Sequence, residues 1–126
     1  YFNNGKFCFY DDSRTNYCSP TNIDDNEWHH IAAVYNNGSN TISTYIDGVT
    51  QRADISVDLN ITGSDRFLVG QEWLSDGIMG SYFIGNLDDL YIFDYALTLQ
   101  EIENLASFYP DRSTGRLSGT VRTKKN

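Results

Sequence analysis

The sequence of 126 residues has little cysteine, proline and methionine, with two cysteines, two prolines and one methionine. It has no run of about eighteen apolar residues, so membrane insertion as a helix is not expected. The cysteine spacing fits no structural zinc pattern, which needs further paired ligands. We predict a disulfide between Cys8 and Cys18, whose short loop would contribute about 2–3 kcal/mol to stability. The alternative is two unrelated buried thiols.

Basic residues are scarce in most of the chain. Residues 1–109 contain four bases and sixteen acids, a net charge of −12, whereas residues 110–126 contain five bases and one acid, a net charge of +4. Nucleic acids and anionic lipids are bound by clustered Lys and Arg, so the acidic body excludes nucleic acid as its partner. We expect its carboxylates to hold calcium or to keep the chain soluble.

The chain also lacks an initiator methionine and the apolar core of a signal peptide, so we interpret it as a piece of a longer protein. Aromatic residues make up 14% of it, among many polar turn formers, which is typical of an all-β extracellular module. Sequons begin at Asn37 and Asn60. Both are candidate N-glycosylation sites and fit an extracellular or cell-surface location.

Short strand-like runs separated by turn residues follow one another along the chain. They are KFCFY (6–10), WHHIAAVY (28–35), TISTYI (41–46), VTQRADI (49–55), RFLVG (66–70) and YFIGNLDDLYIFDY (82–95). Between two of them, Asp47 and Gly48 predict a tight hairpin turn. Because no helices alternate with these runs, the sequence predicts an all-β fold, an antiparallel β-sandwich.

One segment near the C-terminus has helical periodicity instead. Leu99, Ile102 and Leu105 recur at three-residue steps. Thr98 and Glu101 have the spacing of a capping box, which predicts that the helix starts there. We therefore predict one short helix over about residues 98–107, lying as a lid on one end of the sandwich.

Four motifs resemble, in order and spacing, the second half of a laminin-G-like domain of the concanavalin A-like lectin/glucanase superfamily. They are EWHHIAAVY, STYIDGV, FLVGQ and FIGNLDDLYIFDYALTLQEIENL. The resemblance covers about residues 27–106 and implies a jelly-roll sandwich. Family members carry several strands before the Trp-His-His motif, but only 27 residues precede Trp28 here. We expect the domain to occupy residues 1–109, with its N-terminal strands missing from this sequence or supplied by another chain.

Residues 110–126 form a separate basic unit, in which the linker PDRSTG is followed by GRLSGTVRTKKN. Leu117, Gly119 and Val121 alternate with polar residues, which predicts a strand. The SGTV motif resembles the first strand of immunoglobulin-like modules related to carboxypeptidase regulatory domains, so the unit is interpreted as the start of such a module. The alternative is a strand that pairs with the same domain or with a neighbouring copy.

The adjacent histidines His29 and His30 belong to a predicted strand. Their side chains then point to opposite faces and cannot share one metal ion. We interpret them as scaffold residues, buried and bonded to a carbonyl or a carboxylate, rather than as a catalytic or metal site.

Acidic residues supply a candidate calcium site. Asp88 and Asp89 are neighbours in the last predicted strand, so one carboxylate is expected to point inward, where a buried charge needs a partner. Many laminin-G-like and pentraxin domains hold calcium at the rim of the sandwich. The resemblance therefore suggests calcium as a cofactor, with Asp88, Asp89 and Asp47 as ligands. The stretches DDSRTN and NIDDNE are further sources of oxygen.

Catalytic motifs are not matched. Glycoside hydrolases of this superfamily place two glutamates in a Glu-x-Asp-x-x-Glu motif, but Asn86 and Tyr91 stand at those positions here. Trp73, in the glycine-rich stretch GQEWLSDGIMGSY, is a candidate for stacking on a sugar ring. The alternative is a tryptophan folded over the edge of the sandwich.

These features together predict a non-catalytic binding or adhesion module of a larger secreted or surface protein. Its partners would be glycans or extracellular proteins. The alternative is a structural subunit of an extracellular assembly or filament, in which other copies of the chain complete the sandwich.

Overall fold

Eight short strands and one helix form the regular structure of the described residues. The computed structural model describes residues 1–10, 16–57, 59, 69–70, 72–73, 79–80 and 82–108. The elements are β1 (Phe2–Asn3), β2 (Lys6–Tyr10), β3 (Asn16–Asn22), β4 (Ile31–Asn36), β5 (Thr41–Ile46), β6 (Val49–Ser56), β7 (Glu72–Trp73), β8 (Met79–Gly80) and α1 (Leu99–Ser107). All strand pairs are antiparallel, in sheets ordered β1-β2-β3, β4-β5-β6 and β7-β8.

The first sheet combines a tight hairpin with a disulfide. Asn4 and Gly5 turn the chain between β1 and β2 with φ angles of 48° and 73°, a conformation that favours Asn-Gly. Cys8 of β2 lies opposite Cys18 of β3, and the two sulfurs are bonded. Cys8 is fully buried. The predicted disulfide is confirmed, and it fixes the pairing of β2 with β3.

The second sheet follows the period-two pattern of its sequence. In β5, Ile42, Thr44 and Ile46 are buried, and the residues between them are half-buried. The β5–β6 turn is formed by Asp47 and Gly48, both at positive φ, 51° and 79°, as the hairpin prediction required. A strand is predicted over residues 28–35, whereas β4 runs from Ile31 to Asn36, so the observed strand starts three residues later and ends one residue later.

Buried apolar residues come from both sheets and the helix. Among the described residues they are Cys8 of β2, Ile42 and Ile46 of β5, Val57 directly after β6, and Ile102 of α1. The edge strands β3 and β6 lie beside each other. Arg52 of β6 donates a hydrogen bond from Nε to the carbonyl oxygen of Cys18 at 3.0 Å, which ties the second sheet to the first.

The helix begins where its capping box predicts. The backbone N–H of Glu101 donates to the Thr98 hydroxyl, while the Glu101 carboxylate accepts from the Thr98 backbone N–H at 2.8 Å. This backbone hydrogen bond, with a second one from the Thr98 hydroxyl, lowers the pKa of Glu101. Ile102 is fully buried, and a Cβ added to Gly48 would lie 3.3 Å from the α1 backbone. The helix therefore covers the tip of the β5–β6 hairpin.

The prediction of a strand over residues 82–95 is wrong. Among the described residues, none between 82 and 95 belongs to a strand. Asp89 has a φ of 49°, which interrupts the extended backbone. A strand also requires a neighbour that bonds to its backbone. Of the predicted strand RFLVG, residues 66–68 lie outside the described residues, and residues 69–70 are not in a strand.

An antiparallel β architecture with one short helix is thus confirmed. In the part of the chain that the structure describes, no helix has the length and apolar composition needed to cross a membrane.

Candidate functional site

His29 bridges two carboxylates in the loop before β4. Its Nδ1 lies 2.7 Å from Oδ2 of Asp47, and its Nε2 lies 3.1 Å from Oδ1 of Asp25. The His29 side chain is only 16% exposed. Because both ring nitrogens face carboxylate oxygens, both contacts are hydrogen bonds only when the imidazole carries two protons. We call Asp25, His29 and Asp47 the histidine bridge.

The electrostatics of the histidine bridge favour the charged imidazole. Burial lowers the pKa of His29, but hydrogen bonds to Asp47 and Asp25 outweigh it, so this pKa is raised above its ordinary value. The pKa of Asp25 is lowered, first by the backbone N–H of Glu27 and then by His29. The bridge is therefore an ion-paired arrangement below the ordinary pKa of histidine, 6.5.

Asp47 connects this bridge to the backbone as well. Its Oδ1 accepts a hydrogen bond from the backbone N–H of His30 at 2.8 Å, and its own N–H donates to the carbonyl of His30 at 2.8 Å. Asp47, in the β5–β6 turn, thus fixes the backbone of His30 just before β4 through two hydrogen bonds. The prediction that a histidine bonds to a carboxylate is confirmed for His29, but His29 and His30 are half-buried rather than buried as expected.

The three predicted calcium ligands lie in two separate parts of the structure. Asp47 belongs to the histidine bridge, whereas Asp88 and Asp89 lie in the segment that follows β8. The Asp89 backbone N–H donates to Oδ1 of Asp88 at 2.9 Å. Neither Asp88 nor Asp89 is buried, so the expected inward carboxylate is wrong.

No ligand set for calcium emerges from these positions. Among the described residues, no three His, Cys, Asp or Glu side chains are grouped so that they could hold a metal ion. In the stretch DDSRTN, residues 11–15 lie outside the described residues. Calcium binding stays a prediction.

Two further predicted sites are only partly described. The backbone of Trp73 lies in β7, paired with Met79 of β8, but its side chain lies outside the described part of the structure. Stacking of Trp73 on a sugar ring stays a prediction. Asn37 is exposed in the turn between β4 and β5, whereas Asn60 lies outside the described residues.

An exposed aromatic row is the feature that sequence reasoning missed. Tyr91, Phe93 and Tyr95 alternate in the motif YIFDY and are all exposed. The rings of Tyr91 and Phe93 are stacked with centroids 6.4 Å apart, and those of Phe93 and Tyr95 meet edge to face at 5.9 Å. We call these three residues the aromatic row. Its sequence signal is the alternation of aromatic residues in this motif.

A groove of about 300 Å³ lies between the aromatic row and the helix. Its lining is mostly apolar, with one amide and one carboxylate from α1. The lining residues are Phe93, Tyr95, Leu97, Glu101, Asn104, Leu105 and Phe108. Apolar rings beside a few hydrogen-bonding groups are the usual composition of a small-ligand site. In this groove, Oε2 of Glu101 already accepts hydrogen bonds from Thr98, and Oδ1 of Asn104 accepts one from Gln100.

Comparison with known proteins identifies relatives of this architecture. A laminin-G family model, described as concanavalin A-like lectin/glucanases superfamily, matches residues 1–103. The chain is similar to "Sushi, von Willebrand factor type A, EGF and pentraxin domain-containing protein 1" of Rattus norvegicus, with 31% identity over 94 residues. The protein of the same name in Mus musculus is 30% identical over 94 residues. These matches cover 71% of this chain but only 3% of each relative.

A solved structure shares the fold. The crystal structure of residues 221–444 of an S-layer domain-containing protein from Clostridium thermocellum superposes with a TM-score of 0.59 and 26% identity. The match covers 73% of this chain and 45% of that structure. The chain therefore corresponds to less than half of the solved domain and to a small part of its curated relatives.

Proposed function

Because the chain belongs to the laminin-G-like family of the concanavalin A-like lectin/glucanase superfamily, we propose that it is a non-catalytic recognition module of an extracellular or cell-surface protein. Its ligand is a glycan or an extracellular protein. The observation that carries this proposal is the aromatic row, because exposed rings beside a groove with an amide and a carboxylate suit ligand stacking and hydrogen bonding.

The absence of a hydrolase motif supports the non-catalytic part of this proposal. Asn86 and Tyr91 cannot supply the general acid and the nucleophile that glycoside hydrolysis requires. We expect no release of sugar from β-glucans by the purified chain. Measurable hydrolysis that is lost in Asp88→Asn would refute the non-catalytic assignment.

Ligand binding by the aromatic row can be tested with a glycan array and a panel of extracellular matrix proteins. For whichever ligand is bound, Tyr95→Ala should weaken affinity by about tenfold, since it removes one stacking ring. Tyr82→Ala is the matched control, because Tyr82 is equally exposed but does not line the groove. Equal losses in both variants, or no bound ligand on either panel, would count against the aromatic row as the site.

A structural role in an extracellular assembly is the second candidate. It is supported by large exposed aliphatic residues in the same segment, among them Ile84, Leu90 and Ile92. The solved neighbour is described as an S-layer domain-containing protein, which is a property of that protein. Light scattering after size-exclusion chromatography tests this role, since concentration-dependent oligomers support it and a monomer at every concentration refutes it.

A further inference from the structure

The sequence contains two Asn-Gly pairs, and both lie in turns of the described structure. Each pair follows another asparagine, in the motifs Asn3-Asn4-Gly5 and Asn36-Asn37-Gly38. Asparagine is among the chemically least stable residues of proteins. A following glycine has no side chain to hinder the approach of its backbone nitrogen to the asparagine side chain. Because the two motifs match in sequence, a difference in their reactivity has to come from the fold.

The first turn holds its Asn-Gly pair in a fixed backbone. Two residues, Asn4 and Gly5, separate β1 from β2, and both have positive φ. The carbonyl oxygen of Gly5 accepts a hydrogen bond from the backbone N–H of Ile23 at 2.7 Å. Gly5 is half-buried, and a Cβ added to it would collide with Asn22 and Asp24. The backbone of Gly5 therefore cannot rotate freely unless the hairpin opens and this hydrogen bond breaks.

The second turn leaves its pair more open. Four residues, 37–40, separate β4 from β5, and both Asn37 and Gly38 are exposed. The Gly38 N–H donates to Oδ1 of Asn36 at 2.9 Å, a hydrogen bond between exposed residues two positions apart. Exposed local contacts of this kind open at little cost in free energy. Fewer contacts therefore oppose the approach of the Gly38 nitrogen to the Asn37 side chain than oppose the same approach at Asn4.

We propose that Asn37 is a site of spontaneous deamidation in the folded chain, whereas the β1–β2 hairpin protects Asn4. The backbone nitrogen of Gly38 loses its proton and attacks Cγ of Asn37, so that a new C–N bond forms and the side-chain nitrogen takes up a proton and leaves as ammonia. Water then opens the succinimide ring at one of its two carbonyls, which yields aspartate or isoaspartate. The rate of such an intramolecular attack depends on how easily the two atoms reach each other, and this differs between the two turns.

Deamidation would change both the charge and the backbone at this end of the second sheet. Either product adds a negative charge to residues 1–109, whose net charge is already −12. Isoaspartate also inserts a methylene group into the backbone directly after β4. The loss of the Asn37 amide removes the acceptor of the candidate sequon Asn37-Gly38-Ser39. Deamidation and N-glycosylation are therefore competing fates of one side chain.

Peptide mapping by mass spectrometry tests the proposal on the full chain, produced without N-glycosylation and incubated at mildly alkaline pH. No ligand is needed, so the outcome is separate from the recognition role proposed above. Asn4 is the matched control within the same molecule. Asn37 should deamidate at least about fivefold faster than Asn4, the ratio that corresponds to one additional hydrogen bond to be opened. In concentrated urea the two rates should converge, because the local sequences match.

Gly38→Ala checks the route, because its methyl group hinders attack by the backbone nitrogen. This variant should slow deamidation at Asn37 and leave the rate at Asn4 unchanged. Isoaspartate should accompany aspartate, since direct hydrolysis of the side chain gives aspartate alone. Deamidation of Asn4 as fast as that of Asn37 in the folded chain would overturn the proposal. So would aspartate without isoaspartate, an unchanged rate in Gly38→Ala, or an Asn37 that reacts only after unfolding.

Discussion

Asp47 contributes a charge, a backbone acceptor and a turn conformation, and two substitutions separate these roles. Its carboxylate lies 2.7 Å from Nδ1 of His29 and accepts from the backbone N–H of His30 at 2.8 Å. Its φ is 51°, a region that Asn tolerates better than most residues. Asp47→Asn keeps the turn and an oxygen for His30, and removes only the charge. Asp47→Ala removes all three.

The expected losses of stability differ accordingly. The charge removed by Asp47→Asn should contribute about 0.5 kcal/mol, since ion pairs with an exposed carboxylate contribute about 0.2–1 kcal/mol. Asp47→Ala also loses a backbone hydrogen bond of about 1 kcal/mol and places alanine at positive φ, at about 1 kcal/mol more. We therefore expect Asp47→Ala to lower the free energy of unfolding by about 2–3 kcal/mol at mildly acidic pH.

The contribution of the charge should depend on pH with a defined sign. The pKa of His29 is raised in the folded chain, because hydrogen bonds to Asp47 and Asp25 outweigh the lowering by burial. A raised pKa stabilises the fold fully below the ordinary value of 6.5, and this contribution is lost as the pH rises through the folded-state pKa. The wild type should therefore lose its advantage over Asp47→Asn as the pH is raised above this range.

Urea unfolding at about pH 5.5 and about pH 8.5 measures both effects, and an NMR titration of His29 gives its pKa directly. Asp54→Asn is the matched control, because Asp54 is exposed and also has positive φ, 47°. The reasoning fails if Asp47→Asn and Asp47→Ala are equally destabilised. It fails as well if the difference between the wild type and Asp47→Asn is the same at both pH values.

Three further substitutions test the local supports of the fold by urea unfolding. Gly48→Ala should cost about 1–3 kcal/mol, because its φ is 79° and the added Cβ approaches the α1 backbone, whereas Gly38→Ala, at ordinary φ, should cost less. Thr98→Ala should cost about 1 kcal/mol through loss of the N-cap, and an unchanged midpoint would contradict the capping role. Cys8→Ser combined with Cys18→Ser should cost about 2–3 kcal/mol, and wild-type chain under reducing conditions should show the same loss.

Features governed by neighbouring residues could be predicted from the sequence. The capping box of Thr98 and Glu101 set the start of α1, since both partners lie within one turn. The Asp47–Gly48 pair set the β5–β6 hairpin, because few residues tolerate positive φ. In β5 the period-two pattern matched the buried face residue for residue. In each case the determining contact lies within a few positions along the chain.

The histidine bridge could not be predicted in the same way. His29 and Asp47 are eighteen positions apart and meet only because β4 and β5 pair in one register. The sequence instead suggests Asp47 as a calcium ligand, since a lone carboxylate in a sequence does not reveal its partner. The sequence predicts that a histidine of the pair His29–His30 bonds to a carbonyl or a carboxylate, but it does not reveal that the partners of His29 are Asp25 and Asp47. Pairing register between strands decides such contacts, and a single sequence specifies it weakly.

The exposed segment shows where a correct pattern led to a wrong assignment. An alternation of apolar residues predicts which face of a strand is buried when the sheet is complete. It does not show that the neighbouring strands are present. The family match includes this segment, yet Leu90 and Ile92 stay exposed in the described structure. Covering each of them would contribute about 1.5–3 kcal/mol, more than the ion pair of His29 with Asp47. A neighbour that covered these two side chains would therefore add more stability than the histidine bridge does.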